Sequence, residues 1–290
     1  MNYKSWEKAF NIAGILAVLF VLTFLFAIAL KLFIDGLHRI YDPDFYLSYP
    51  SRFPNKAGIL SAWVGTLYVM AGAIFWSIFL GIPAGIYLEE FGGKGKIARI
   101  IEANITNLSA VPSIVYGLLA LGIFVYRFNF GESVLTAGLT LGLLMLPVIV
   151  VTTRESLRRI PRSIREGAYA LGATNYELVF HHLLPYSIGG ILTGVIIAIS
   201  RAIGETAPLL TIGALTFIAF LPPPPWEDFL GMLKSPFTVL PIQIFNWVSR
   251  PQEAFHKNAA AGGFVLLVLC LLLNSLSYYL RYKVRKKYQW

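Results

Sequence analysis

The residues with the clearest potential for chemistry are an arginine and a glutamate four positions apart, Arg201 and Glu205, in the stretch SRAIGETAPLL. Side chains at this spacing share one face of a helix and can pair. The pair follows an apolar run, and charged residues in such runs face a protein interior or a water-filled cavity. A guanidinium matches an oxyanion through two parallel donors. One interpretation is therefore an anion site, and the other is an ion pair that only fixes helix packing.

In the anion-site interpretation, Arg201 supplies a fixed cation and Glu205 holds its geometry. The hydroxyl groups of Ser200 and Thr206 flank the pair and belong to the same predicted pathway. Glu205 can also accept a proton that hydrogen phosphate still carries, and it would repel a fully deprotonated anion such as sulfate. Gly204 is expected to loosen the helix and bare backbone groups towards the pathway.

The composition places these residues in a membrane protein. Of 290 residues, 57% are apolar and only 13% are charged, with a mean hydropathy of +0.66. A soluble domain of this size cannot bury so much apolar surface, so the predicted class is an all-α integral membrane protein. The net charge of +9 comes from cations at the ends of apolar runs rather than along one soluble face, which argues against nucleic-acid binding. Cys270 is the single cysteine, and no metal-binding motif is present.

Six apolar runs have the length of about 20 residues that a membrane helix needs. The third contains Pro112 and is expected to bend or to follow a short helix outside the membrane. Two shorter apolar pieces, 208–220 and 237–248, are expected to be re-entrant or interfacial. The predicted spans lie near 10–33, 60–88, 99–126, 134–152, 183–205 and 262–282.

The distribution of cations predicts the orientation of these six spans. With the amino terminus inside, the inner side holds about twice as many Lys and Arg residues as the outer side. Both termini are therefore expected in the cytoplasm. Residues 27–29, Ala-Ile-Ala, look a little like a cleavage site, but the first apolar run is long for a signal peptide, so an uncleaved helix is expected.

The segment 152–185 is polar, rich in arginine and enclosed by two membrane-length runs. Its five arginines predict a cytoplasmic position. A short helix is expected from Pro161 to Ala170, with proline near its start and Gly172 as a left-handed cap at its end. On the arginines alone, an ordinary basic loop is the simpler interpretation.

The spacing within this segment resembles the loop with which ABC importer permeases bind their ATPase subunits. The matching residues are Glu166, Gly167, Ala168, Gly172, Leu184 and Pro185. Two positions depart from the family signature, because Gly167 replaces an alanine and His182 an isoleucine. The resemblance implies that the loop couples this chain to an ATPase.

No phosphate-binding loop for ATP occurs in the sequence, and GGKGKI at 92–97 lacks the required spacing and hydroxyl residue. The chain is therefore expected to be a non-catalytic subunit that binds no cofactor. A partner ATPase subunit would use ATP and Mg.

The stretches RAIGETAPLL and PFTVLPIQIFNW resemble the A-type permease subunits of phosphate-specific ABC importers, and the likeness runs over 58–285. It implies a prokaryotic plasma (inner) membrane location and a core made by spans two to six, with span one at the periphery. It also implies a second, similar permease subunit, two ATPase subunits and an external phosphate-binding protein as partners. Arg201 and Glu205 match the positions that this family associates with phosphate passage.

The predicted organisation has two parts: an amino-terminal helix with its external loop at 1–57, and a permease domain at 58–285. The permease domain includes the coupling loop 152–185 and an external segment 206–260. That segment is either an amphipathic helix on the outer surface or a lid or docking face. Its aromatic residues are expected at the membrane–water boundary, namely Trp226, Phe237, Phe245 and Trp247.

Two alternatives for the function stay open. One keeps the ABC importer and changes the cargo to sulfate, molybdate or an amino acid. The other is a secondary transporter, which would need its own coupling-ion site and often shows an inverted repeat. Neither of these two features is evident in the sequence.

Overall fold

The computed structural model of the chain describes residues 3–92 and 95–287, and within these ranges every regular element is helical. Residues 93 and 94 of the GGKGKI stretch lie outside the described residues. The helices are α1 Tyr3–Ile40, α2 Pro43–Leu47, α3 Leu60–Ile86, α4 Lys96–Ser109, α5 Ser113–Ala120, α6 Val134–Arg158, α7 Arg162–Ala170, α8 Asn175–Glu177, α9 Leu184–Ala202, α10 Ala207–Thr211, α11 Phe229–Lys234, α12 Leu240–Val248 and α13 Glu253–Lys287. Three π-helical turns extend α3 and α5 and precede α9, at Tyr87–Phe91, Leu121–Arg127 and Leu178–Leu183.

Five helical runs in the described ranges are long and apolar enough to cross a membrane, and a bent pair makes up to six. They correspond to the six predicted spans. The five runs are Ala9–Ile40, Leu60–Phe91, Val134–Arg158, Asn175–Ala202 and Glu253–Lys283. The bent pair joins Lys96–Ser109 to Ser113–Arg127 at an angle of 112°.

The bend in the third span lies at Pro112, as the sequence predicts. Proline has no backbone N–H and cannot continue the helical hydrogen-bond ladder of α4. The hydroxyl of Tyr116 donates to the carbonyl oxygen of Leu108 at 2.7 Å and fixes the corner. Ala98 and Ile105 of α4 are buried against the bundle, whereas Ile97 and Ile100 are exposed. The predicted third span is therefore broken into a short packed helix and a second segment that crosses the bundle.

The core of the bundle is formed by α3, α6 and α9, which pack closely because small residues lie where they meet. A Cβ added to Gly72 of α3 would lie 3.5 Å from the Cα of Gly138 on α6. On the other side of α6, the side chain of Thr152 fills the space in front of Gly194 of α9. Glycine lets helix backbones approach closely in this way.

Helix α1 is peripheral. Only its carboxy-terminal part meets the bundle, where the ring of Phe33 lies 5.1 Å from that of Phe264 on α13. Gly36 faces the backbone of Ala261 at close range. The apolar side chains from Phe10 to Phe26 are exposed on all sides. The prediction of a peripheral first span is confirmed.

The two ends of the bundle differ, and we refer to them as the α7 end and the α11 end. At the α11 end, the amide of Val134 at the start of α6 donates to the carbonyl oxygen of Ser235 after α11, at 3.0 Å. Arg39 is buried there and bonds to Asp42 and to the carbonyl oxygen of Asn55. Six crossings return the described chain to the side on which it starts, so α1 begins and α13 finishes at the α7 end.

The segment 206–260 is not a simple surface helix. Helix α12 packs against α3 and α13, and the amide of Leu240 donates to the hydroxyl of Thr66 at 2.9 Å. Phe237 and Trp247 are fully buried, so their predicted boundary position is wrong, because the segment folds back into the bundle. Trp226 and Phe245 are exposed. Neither 208–220 nor 237–248 contains a helix long enough to cross a membrane.

Candidate functional site

The Arg201–Glu205 pair lies where α9 ends, near the middle of the bundle, because Gly190 and Gly194 of α9 face Ser156 and Thr152 of α6 and this register puts Arg201 beside the middle turns of α6. The helix stops at Ala202, so Glu205 lies just beyond it rather than within it. The amide of Glu205 still donates to the carbonyl oxygen of Ala202 at 3.1 Å, which turns the chain back towards the helix. Arg201 Nε lies 3.8 Å from Glu205 Oε1. The predicted pairing is confirmed, but the distance is too long for a hydrogen bond.

The pair is less buried than the sequence suggests. The side chain of Arg201 is 41% exposed and that of Glu205 is 18% exposed. Its guanidinium is therefore accessible to another group. Such a half-exposed, loosely paired cation differs from a structural ion pair, in which both partners make close hydrogen bonds.

The hydroxyl residues beside the pair have different surroundings. Ser200 Oγ lies 2.7 Å from Asn274 Oδ1 on α13 and also donates to the carbonyl oxygen of Ile196 at 2.8 Å. Thr206 lies beyond the helix, with its hydroxyl 3.5 Å from the carbonyl oxygen of Gly204. Asn274 therefore links α13 to the site. Sequence reasoning missed it, although a polar residue in the last apolar run was a usable signal.

A stripe of residues on α9 leads from Arg201 towards the α7 end. Gly190, Thr193, Ile197 and Arg201 follow one another at intervals of three or four and share one face. The first three line a cavity of about 590 Å³ that α6 and the end of α13 also enclose. Ile197 and Arg201 are one turn apart, about 6 Å along the axis. The cation therefore stands immediately above the cavity.

At the α7 end of the bundle, α7 has the start and the end that the sequence predicts. Pro161 precedes the first turn, and Gly172 has a φ of +84° after the last one. The amide of Ala173 donates to the carbonyl oxygen of Ala168 at 3.0 Å, and that of Gly172 to Tyr169 at 2.9 Å. These two bonds make a Schellman cap, in which glycine adopts the left-handed conformation without strain. The cap stops α7 and reverses the chain.

Helix α7 has a packed face and an open face. Ala168 and Ile164 pack on Leu157 and Leu183 in a small apolar cluster under the helix. Glu166 and Gly167 are exposed on the other side. Leu184 and Pro185 are half-buried where α9 starts. The predicted coupling residues are thus divided: Glu166 and Gly167 are on the exposed face of α7, Ala168 is on its packed face, Gly172 caps it, and Leu184 and Pro185 are at the start of α9.

Two apolar residues at the tip of this loop were not singled out from the sequence. Leu171 is 91% exposed and Tyr169 is half-exposed. The hydroxyl of Tyr169 donates to Asn175 Oδ1 at 2.9 Å, which connects α7 to α8. Leu171 directly precedes the cap glycine, a position that is readable in the sequence. A leucine this exposed leaves about 1.5–3 kcal/mol of burial free energy unused.

Three carboxylates that sequence reasoning also missed meet the arginines of the loop. Glu89 accepts from Arg158 Nε at 2.7 Å and lies 3.4 Å from Arg154 Nε. Glu102 of α4 lies 2.8 Å from Arg154 Nη1. Glu90 accepts from Arg165, and this hydrogen bond raises the pKa of the Arg165 guanidinium. The arginines are thus partly neutralised by acidic residues at the end of α3 and on α4.

The described residues contain no group of three or more His, Cys, Asp or Glu side chains that could hold a metal ion. Near the middle of the bundle, the accessible cation of Arg201 lies above a cavity. At the α7 end, Glu166, Tyr169 and Leu171 are exposed on α7 and directly after it.

Comparison with known proteins gives one consistent result. Residues 81–286 match the model of the family described as binding-protein-dependent transport system inner membrane component. The chain is 36% identical over 223 residues to the phosphate transport system permease protein PstA of Yersinia pestis, covering 76% of this chain and 71% of that protein. It is 30% identical over 275 residues to PstA of Haemophilus influenzae, covering 93% of each.

Among solved structures, the fold is similar to a chain of the MetNI methionine ABC transporter in an inward-facing conformation. The TM-score is 0.57 at 17% sequence identity, and the match covers 76% of this chain and 94% of that chain. At this identity the likeness concerns the fold alone. It is the fold of type I ABC importer permeases.

Proposed function

Because this chain belongs to the family of binding-protein-dependent transport system inner membrane components, we propose that it is a permease subunit of an ATP-driven importer of inorganic phosphate. The observation that supports phosphate as the cargo is the 36% identity to a phosphate transport system permease over 223 residues. The position of Arg201 above the cavity supports the same conclusion from chemistry. The chain is a non-catalytic, multi-pass component of the inner membrane.

Phosphate passage is assigned to the exposed stripe of α9. Arg201 would contact the anion through two donors, since its loose pairing with Glu205 leaves the guanidinium available. Glu205 would hold the side chain in place and favour an anion that still carries a proton. Ser200 and Thr206 would line the passage beside the pair. A second, similar permease subunit would cover the exposed side of Arg201 and complete the pathway.

The α7 end is assigned to the cytoplasm. The five arginines of 152–185 support that side, and with six crossings both described ends of the chain would lie there too. The α11 end would face the external phosphate-binding protein. In this arrangement 1–57 is a peripheral helix with an external loop, and 58–285 is the permease domain.

Coupling to ATP hydrolysis is assigned to α7 and the residues that follow it. The open face of α7 would enter a groove on an ATPase subunit, with Glu166 and Leu171 as contacts. Gly172 fixes where the helix stops, and Leu184 and Pro185 pass its movement into α9. Two ATPase subunits would use ATP and Mg, one on each permease. This chain would bind neither.

The test is uptake of radiolabelled phosphate and sulfate in cells that lack this chain and then regain it. We expect phosphate uptake to return, with little competition from a ten-fold excess of sulfate. If sulfate or molybdate uptake returned instead, the cargo of this permease would be that other oxyanion. Phosphate uptake that persists after deletion of the ATPase subunit would refute the ATP-driven mechanism and favour a secondary transporter.

A further inference from the structure

Glu90, at the end of α3, makes a polar contact between α7 and a helix that is not its neighbour in the chain. Glu90 lies in the π-helical turn Tyr87–Phe91 and accepts a hydrogen bond from Arg165 in the middle of α7. Arg165 also donates from Nη2 to the carbonyl oxygen of Leu157, at 3.1 Å. One guanidinium therefore connects α7, α6 and α3.

The adjacent glutamate makes a second connection from the same turn. Glu89 accepts from Arg158 Nε through both oxygens, at 2.7 and 2.8 Å. Arg154 lies between Glu89 and Glu102, at 3.4 and 2.8 Å. These contacts fix the end of α3 on the last two turns of α6. The turn therefore holds α6 through Glu89 and α7 through Glu90.

These pairs are more buried than the usual surface ion pair. The side chain of Glu90 is only 7% exposed, and that of Glu89 is 15% exposed. By contrast, Arg159 and Glu155 are 3.9 Å apart and both exposed, a geometry that contributes little. Removing one partner of a buried pair leaves an uncompensated charge, so the position of α7 depends strongly on Glu90.

The contact also has an unused acceptor. Glu90 Oε1 is buried and makes no hydrogen bond within the described residues, while Oε2 binds Arg165. The carboxylate can therefore accept a second donor of the same guanidinium when α7 rotates over α3. The link between the two helices can thus persist through a change in the position of α7.

Helix α3 in turn reaches the opposite end of the bundle. It packs along α6, and its first turns meet α12 through Thr66 and Leu240. Pro83 lies within α3 and Glu90 in the π-helical turn beyond it, so a displacement of this turn would reach the α11 end through the packing of α3 on α6 rather than along a straight rigid helix. The covalent route from α7 runs only into α6 and α9.

We propose that Glu90, supported by Glu89, is a positioning residue for energy coupling: it ties α7 to α3, so that movement of α7 also moves α3. This inference rests on the proposed function, in which α7 binds the ATPase. It assigns to the end of α3 a role that the coupling loop alone does not have. A purely structural role would instead lower the amount of assembled importer and leave each assembled copy coupled.

The test uses the complete importer, purified with its second permease and ATPase subunits and reconstituted in vesicles with the phosphate-binding protein. The measured quantity is ATP hydrolysed per phosphate transported, normalised to assembled complex. For Glu90→Gln and Arg165→Gln we expect this ratio to rise at least five-fold, with the recovered ATPase within two-fold of wild type. The matched control is Arg99→Gln, which removes an exposed cation of α4 at the same end.

Two further variants keep the test decisive if a neutral variant assembles poorly. Glu90→Asp keeps the charge but shortens the link, and we expect at least a two-fold rise in the ratio. The exchange Glu90→Arg with Arg165→Glu should bring the ratio back to within two-fold of wild type. A wild-type ratio in Glu90→Gln and Glu90→Asp, or a parallel fall of transport and hydrolysis, would overturn the inference. Failure of the wild-type chain to recover any ATPase would instead overturn the proposed function.

Discussion

Replacing Arg201 by glutamine separates anion binding from folding. The Arg201–Glu205 pair is 3.8 Å long and its arginine is 41% exposed. Half-exposed pairs of this kind contribute about 0–1 kcal/mol to stability. Loss of the pair should therefore change the thermal unfolding of the purified complex little. The amount of protein in the membrane should stay close to that of wild type.

The effect on transport should be much larger. A hydrogen bond to a charged partner contributes about 1.5–3 kcal/mol, and each 1.4 kcal/mol corresponds to a factor of about ten. Losing one such bond to phosphate lowers binding about 10- to 150-fold. Losing both donors of a bidentate contact weakens phosphate binding further, so uptake should fall to the background level of cells that lack the chain. Arg201→Lys keeps the positive charge but lacks the paired donors of the guanidinium, so its phosphate uptake should lie between those of wild type and Arg201→Gln.

The assay is initial uptake of radiolabelled phosphate at several external concentrations, divided by the amount of chain in the membrane. Arg127→Gln is the control, because this arginine is exposed at the end of the π-helical turn after α5. Uptake by Arg201→Gln within two-fold of wild type would refute the anion-site assignment. Loss of protein together with loss of uptake would mean that the pair is structural.

Three further outcomes follow from the same geometry. Glu205→Gln should admit sulfate, seen as competition with phosphate uptake, and unchanged competition would contradict its selective role. Gly172→Ala should lower the stability of the α7 cap by about 1–2 kcal/mol, because φ at this position is +84°, and should therefore reduce the amount of ATPase recovered with the chain. In Gly167→Ala the added methyl group meets open space, so ATPase recovery should stay at the wild-type level. Gly194→Ala should destabilise the subunit by about 1–3 kcal/mol in thermal unfolding, because its methyl group meets Thr152. Gly189→Ala is the control, because a methyl group added there has no neighbour within 4 Å. An equal loss of stability in Gly194→Ala and Gly189→Ala would exclude this steric explanation.

The elements that the sequence predicts well are those whose signals are local. Apolar runs give the six crossings because the backbone must satisfy its hydrogen bonds within a helix in a membrane. Pro112 breaks the third span because it lacks an N–H group, and Gly172 caps α7 because a left-handed residue is needed there. Each of these outcomes depends on a few adjacent residues.

The errors occur where distant segments meet. Phe237 and Trp247 are aromatic residues that suit a membrane boundary, yet Phe237 is buried in the main apolar core and Trp247 in the cluster that joins α12 to α3 and α13. The exposure of Arg201 also could not be predicted, since spacing on a helix does not say which face the neighbouring helices cover. Aromatic side chains suit a membrane boundary and a protein core equally well, so composition alone does not distinguish the two positions.

Periodicity, proline and glycine act within one or two turns, and they suffice to predict a six-crossing helical permease, the capped helix α7 and a cation at the end of α9. Only the tertiary structure decides that Glu90 meets Arg165, 75 positions away, and that Ser200 meets Asn274, 74 positions away. These contacts depend on the depth and rotation of packed helices. Those quantities arise from the summed fit of many side chains, and no short stretch of the chain encodes them.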